Sequence, residues 1–71
     1  MRGVVKSVNQ DKAFGFVRGS DGVDYFFHAR NVLAPALIDD FARGNAVEFD
    51  PTHHERGPRA DGVHRVSVDL D

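Results

Sequence analysis

Phe14-Gly15-Phe16-Val17-Arg18-Gly19-Ser20-Asp21-Gly22-Val23-Asp24-Tyr25-Phe26-Phe27-His28 holds two short runs of aromatic and β-branched residues on either side of a glycine-rich turn. Such residues fit a pleated, half-buried surface. Asp-Gly is a strong hairpin signal because glycine tolerates the positive φ that a tight turn demands. The spacing predicts antiparallel strands from Phe14 to Arg18 and from Tyr25 to His28. Side chains alternate across a strand, so Phe14, Phe16, Phe26 and His28 share one face, while Gly15, Val17, Tyr25 and Phe27 share the other. Both faces are apolar, yet so small a domain has one interior. Gly15 beside Val17 suits the crowded inside, which leaves the Phe14, Phe16, Phe26 and His28 set facing outward.

Upstream, Gly3-Val4-Val5-Lys6-Ser7-Val8 precedes the turn signal Asn9-Gln10-Asp11 and predicts a strand over about residues 2 to 9, completing a three-stranded meander. Between Asn31 and Gly44 the apolar residues lose strand alternation and Pro35 would break a long helix, so a short helical turn and a loop are expected. Ala46-Val47-Glu48-Phe49-Asp50 alternates as a fourth strand. His53 to Gly62 reads as a long polar loop. Val63 to Leu70 reads as a fifth strand, with two parities open: Val63 inward, or the run Val66, Val68, Leu70 inward. Five short strands favour a closed or nearly closed barrel, since closure leaves few exposed edges. An SH3-like barrel is the other small solution, and strand count does not choose between them.

At 71 residues the chain is one domain, which at this size buries only about 60% of its unfolded surface. It has no cysteine, hence no disulfide and no thiolate-bound metal. No apolar run approaches the ~20 residues of a membrane span, and no apolar h-region follows the start, so a cytoplasmic place with no membrane partner is expected. Nine Lys plus Arg against eleven Asp plus Glu leave a net charge of −2, which argues against a protein that holds nucleic acid chiefly by neutralising phosphates. Distribution matters more than the total. Arg2, Lys6, Lys12 and Arg18 face only Asp11 within the first eighteen residues, so a basic face is expected from the N-terminal strands.

An outward aromatic face bordered by Lys6 and Lys12 is what single-stranded nucleic acid requires, because every base offers a π-face for stacking and phosphates need nearby positive charge. Two other readings use the same residues. Phe14, Phe16, Phe26 and Ile38 could form an apolar patch that docks a protein or a second copy. His53, His54, His64 and Glu55 could hold a metal, but adjacent histidines on a strand point to opposite faces and no H-E-x-x-H spacing is present. No nucleophile elbow or P-loop appears, so neither an enzyme nor a cofactor is expected.

Gly3-Val4-Val5-Lys6-Ser7-Val8-Asn9, Asp11-Lys12-Ala13-Phe14-Gly15-Phe16-Val17 and Asp24-Tyr25-Phe26-Phe27-His28 resemble the bacterial cold-shock protein family. There the corresponding segments read G-x-V-K-W-F-N, K-G-F-G-F-I and D-V-F-V-H-F, the last two being its RNA-binding motifs. Phe41, Gly44, Val47, Phe49 and Arg56-Gly57-Pro58 fit its second half, so the resemblance spans nearly the whole chain. It implies a single cold-shock-like domain over residues 1–71, all-β, a five-stranded antiparallel OB-fold barrel rather than the SH3-like alternative. It also implies that Phe14, Phe16, Phe26 and His28 stack on bases, that Lys6, Lys12 and Arg56 form a basic border, and that Asp24 hydrogen-bonds a base edge. The partner would be single-stranded RNA or DNA, bound by a monomer or weak dimer that acts as an RNA chaperone or cold-shock-type regulator.

The departures have a size. Ser7, Val8, Ala29 and Ile38 stand where the family carries aromatics, Asp39 replaces a lysine, and Ala13 replaces a glycine, a change expected to stiffen the strand. Stacking is worth about 1–3 kcal/mol per base and about 1.4 kcal/mol is tenfold in affinity, so losing two platforms weakens binding roughly a hundredfold. Reduced affinity and a shorter footprint are expected.

Overall fold

A computed structural model describes residues 1–66. Five strands, β1 (Arg2–Asn9), β2 (Phe14–Gly19), β3 (Asp24–His28), β4 (Ala46–His54) and β5 (Gly57–Arg65), close into a barrel in the order β1-β2-β3-β5-β4. Four joints are antiparallel; the β3–β5 joint, where Phe26 lies opposite Arg59, runs parallel. This is the five-stranded OB-type barrel, with β1 bonded to both β2 and β4 so that the sheet has no free edge there. None of its helices is long and apolar enough to cross a membrane among the described residues.

The inward set of the central hairpin fills the barrel. Val17 and Phe27 are fully buried with Tyr25, and Val5, Val47, Phe49, Ala60 and Val63 join them from the other strands. Gly15 is buried against this core, where a Cβ would come within 2.5 Å of the Ser7 carbonyl and 2.9 Å of the Phe27 ring. Only glycine permits that approach. Two single 3-10 turns, Ala29–Asn31 and Ile38–Asp40, punctuate the β3–β4 connection. The second drops Ile38 and Phe41 into the core.

Three features differ from the sequence expectation. The segment read as a polar loop is a hairpin: β4 runs on to His54 and β5 begins at Gly57, leaving only Glu55 and Arg56 as the turn. Its outer residues carry no apolar alternation because this ribbon projects past the core, and backbone pairing needs none. Second, β5 begins six residues before the expected Val63. Ala60 and Val63 are both fully buried despite their odd spacing, because Glu48 and Asp50 of β4 face His64 and Asp61, so β5 carries one extra residue there. That bulge lets both residues point inward, so Val63 follows the first of the two parities. Val66 is half-buried; Val68 and Leu70 lie outside the described residues. Third, Ala13 precedes β2 and adopts φ 59°, so its departure from glycine strains a turn rather than stiffening a strand.

Candidate nucleic-acid interface

The β2–β3 register pairs Phe14 with His28 and Phe16 with Phe26, which sets all four on the outward face, each half-buried. The three phenyl rings pack on one another: Phe14 and Phe26 lie 5.7 Å apart and tilted by 31°, Phe16 and Phe26 5.7 Å apart at 71°, Phe14 and Phe16 6.3 Å apart at 88°. Edge-on and tilted packing sets the rings against one another on a face that stays half-exposed. His28 is fixed by its own turn, its Nδ1 accepting from Arg30 N–H while its N–H donates to Asn31 Oδ1.

β1 lies beside β2, and a bulge between Val5 and Ser7 makes Lys6 the extra residue, so Lys6 and Ser7 are both exposed and Ser7 faces Phe16. Asp24 does not stand free. Its carboxylate takes Lys6 Nζ at 2.7 Å and Arg18 Nε at 3.0 Å, and the Lys6 hydrogen bond, then that of Arg18, holds its pKa below the ordinary carboxylate value. Lys12 is exposed in the β1–β2 turn, its backbone N–H bonded to Asn9 Oδ1. Arg2 pairs with Glu48 at 3.4 Å.

Positive charge without a carboxylate partner collects around Arg56 more than along the N-terminal strands. Three of the four N-terminal cations are tied to carboxylates, whereas Arg30, Arg56 and Arg59 have no ion-pair partner among the described residues. These three arginines line a groove of about 570 Å³ together with Phe16, Phe26, His28, Gly57 and Pro58. Arg59 rests over Phe26, its Cζ 5.7 Å from the ring centre. Of the expected site residues, the groove gathers Phe16, Phe26, His28 and Arg56; Phe14 adjoins it through Phe26; Lys6 and Asp24 pair at the opposite border, and Lys12 stands at the turn. Arg30 and Arg59 line the groove without having been expected there. Reading Gly57-Pro58 as the start of a strand would have found Arg59.

A family model for the cold-shock DNA-binding domain matches residues 1–66. The chain belongs to that family. Cold shock protein 2 of Lactiplantibacillus plantarum is 38% identical over 63 residues, covering 86% of this chain and 91% of that protein. The cold shock-like protein CspC of Bacillus cereus is 38% identical over 63 residues, covering 89% and 95%. A cold shock-like protein of Aquifex aeolicus is 35% identical, covering 87% and 89%.

Within this cold-shock barrel, the positions that depart from the family pattern have distinct fates. Ser7 is exposed on the aromatic face; Val8 and Ala29 pack against the core; Ile38 is only 7% exposed. Ile38 thus does not belong to an apolar docking patch with the phenylalanines, because the Ile38–Asp40 turn directs it inward. The histidines also disperse. His53 packs edge-on to Tyr25, His54 Nε2 lies 3.1 Å from Thr52 Oγ1, and His64 Nδ1 lies 3.1 Å from the Gly62 carbonyl. Among the described residues no three His, Asp or Glu side chains gather as ligands.

Proposed function

We propose that this cold-shock domain binds single-stranded RNA or DNA by stacking unpaired bases on Phe14, Phe16, Phe26 and His28, and that it acts by binding alone, without catalysis or cofactor. One observation carries this reading: three mutually packed rings on an outward sheet face adjoin a groove lined by three arginines. Stacking supplies sequence-tolerant affinity, and the arginines supply the charge that phosphates need. With a net charge of −2, attraction comes from this local arrangement. Lys12 adds to the border, while Lys6 reaches a phosphate only by leaving Asp24, which costs part of its contribution. A protein that captures only unpaired strands shifts an RNA hairpin toward its open form by mass action, without ATP. That suits an RNA chaperone or cold-shock-type regulator in the cytoplasm, working as a monomer or weak dimer.

The test is anisotropy titration with short oligo-dT and oligo-U at low and moderate salt, alongside a fluorophore-quencher RNA hairpin. Binding that weakens with salt, with hairpin opening lost in Phe14→Ala, is expected. Binding without opening would remove the chaperone role, and no binding to any unpaired strand would remove the reading as a whole.

A further inference from the structure

Phe26 differs from the other two phenylalanines in having a cation over its ring. Arg59, opposite it across the parallel β3–β5 joint, holds its guanidinium over the ring at 5.7 Å, within the range of a cation–π contact. Arg59 is half-buried and has no carboxylate partner among the described residues. A guanidinium is a planar fork of five N–H donors and accepts nothing, so one seated on an aromatic face still has edge N–H groups to give.

We propose that Arg59, seated on Phe26, reads guanine in a bound single strand, an inference that rests on the stacking function above. Phe14 lies beside Phe26 at 5.7 Å with its ring tilted by only 31°, so a base stacked on Phe14 lies alongside a group stacked on Phe26 and turns an edge toward it. Phe16, inclined at 71° to Phe26, offers no such alignment. The edge that suits the fork carries two adjacent acceptors. Guanine presents O6 and N7 in that arrangement and pairs with arginine through two hydrogen bonds. Adenine places a donor beside N7, and thymine or uracil places a donor between its carbonyls. Cytosine has adjacent acceptors at N3 and O2, but its single ring covers less of Phe14 than a purine does. Phe26 thereby also holds a reading group at the edge of the stacking face.

The experiment compares, by anisotropy at one salt concentration, oligo-dT with the same strand carrying one central dG, dC, dA or 7-deaza-dG, using the full chain, Arg59→Lys and Arg59→Gln. The dG strand should bind about fivefold or more tighter than oligo-dT. The advantage should vanish for 7-deaza-dG, which keeps the stacking surface and loses the N7 acceptor. Arg59→Lys keeps the charge and loses the fork, so the ratio of dG-strand to oligo-dT affinity should fall to about one, whatever the change in oligo-dT affinity itself. An advantage that survives in 7-deaza-dG or in Arg59→Lys overturns the proposal, as does an equal advantage for dC. An equal fold-loss for all strands in Arg59→Gln, with the dG preference kept, would leave Arg59 a source of charge alone and overturn it likewise. Oligo-dT binding with no dG preference overturns this inference alone; failure to bind any strand overturns the stacking function with it. Thermal unfolding of each variant verifies that the barrel is intact.

Discussion

Phe16 and Phe26 are half-buried on the outward face and pack on each other, whereas Phe27 is fully buried in the core, and truncation should separate the two kinds of phenylalanine. Phe16→Ala and Phe26→Ala should each weaken oligonucleotide binding by about 1–3 kcal/mol, with loss of ring packing costing only about 1 kcal/mol of stability. Phe27→Ala should cost about 3–5 kcal/mol and unfold a domain this small. Paired urea melts and titrations check this, and a Phe16→Ala protein that unfolds would place Phe16 in the core. Ser7 faces Phe16 and is exposed, so Ser7→Trp should extend the platform and raise affinity for pyrimidine-rich strands by about 1 kcal/mol or more. No gain with the fold intact would mean that the face no longer serves stacking. Ala13 sits at φ 59°, a conformation that costs a Cβ-bearing residue more than it costs glycine. Ala13→Gly should therefore stabilise the domain by about 0.5–1 kcal/mol and raise Tm by a few degrees, read by calorimetry.

At the scale of elements, the β4–β5 hairpin decides which charges reach the aromatic face. It carries Arg56 in its turn and Arg59 on its returning strand, and it turns at Gly57, whose φ of 122° no residue with a Cβ adopts without strain. Gly57→Ala should destabilise the domain by about 1 kcal/mol or more. Because the strained turn lies between the two arginines, affinity for single strands should fall along with stability. Titration well below the melting temperature separates the two effects: unchanged affinity in a folded Gly57→Ala protein would show that the hairpin does not position the arginines.

For the whole molecule, stability should hold a plateau bounded by two kinds of group. Asp24 is held low by Lys6 and Arg18, and Asp21 is held low by the Tyr25 hydroxyl, which donates to its Oδ2 at 2.6 Å. A carboxyl depressed in the folded state lends stability above its unfolded pKa and loses it as pH falls through the folded value, so the acid edge lies below about pH 4. The same Asp21 contact raises the Tyr25 pKa above its ordinary value. A raised phenol lends stability below its unfolded pKa and loses it as pH rises through the folded one, which places the alkaline edge above about pH 10. Tm measured across pH should show both edges, and Tyr25→Phe should remove the alkaline contribution. An alkaline edge of the same size in Tyr25→Phe would assign it to other groups.

The sequence by itself determined the β2–β3 hairpin and which of its faces points inward, because period-two alternation with Gly15 beside Val17 and a single interior leaves one consistent assignment of faces; the register that pairs Phe14 with His28 came from the structure. It also determined the aromatic members of the candidate site, since Phe14, Phe16, Phe26 and His28 follow from that parity alone. The tertiary structure decided what depends on contacts between distant segments. Lys6 and Arg18 meet Asp24 across three strands, a neutralisation that local charge counting reads as a basic face. Arg59 comes over Phe26 only through the parallel β3–β5 joint, and the bulge near Gly62 that lets Ala60 and Val63 both enter the core appears only once β5 is paired with β4. Alternation records which side of a strand is apolar; it carries no trace of which strand comes to lie beside it, and closing the barrel supplies that.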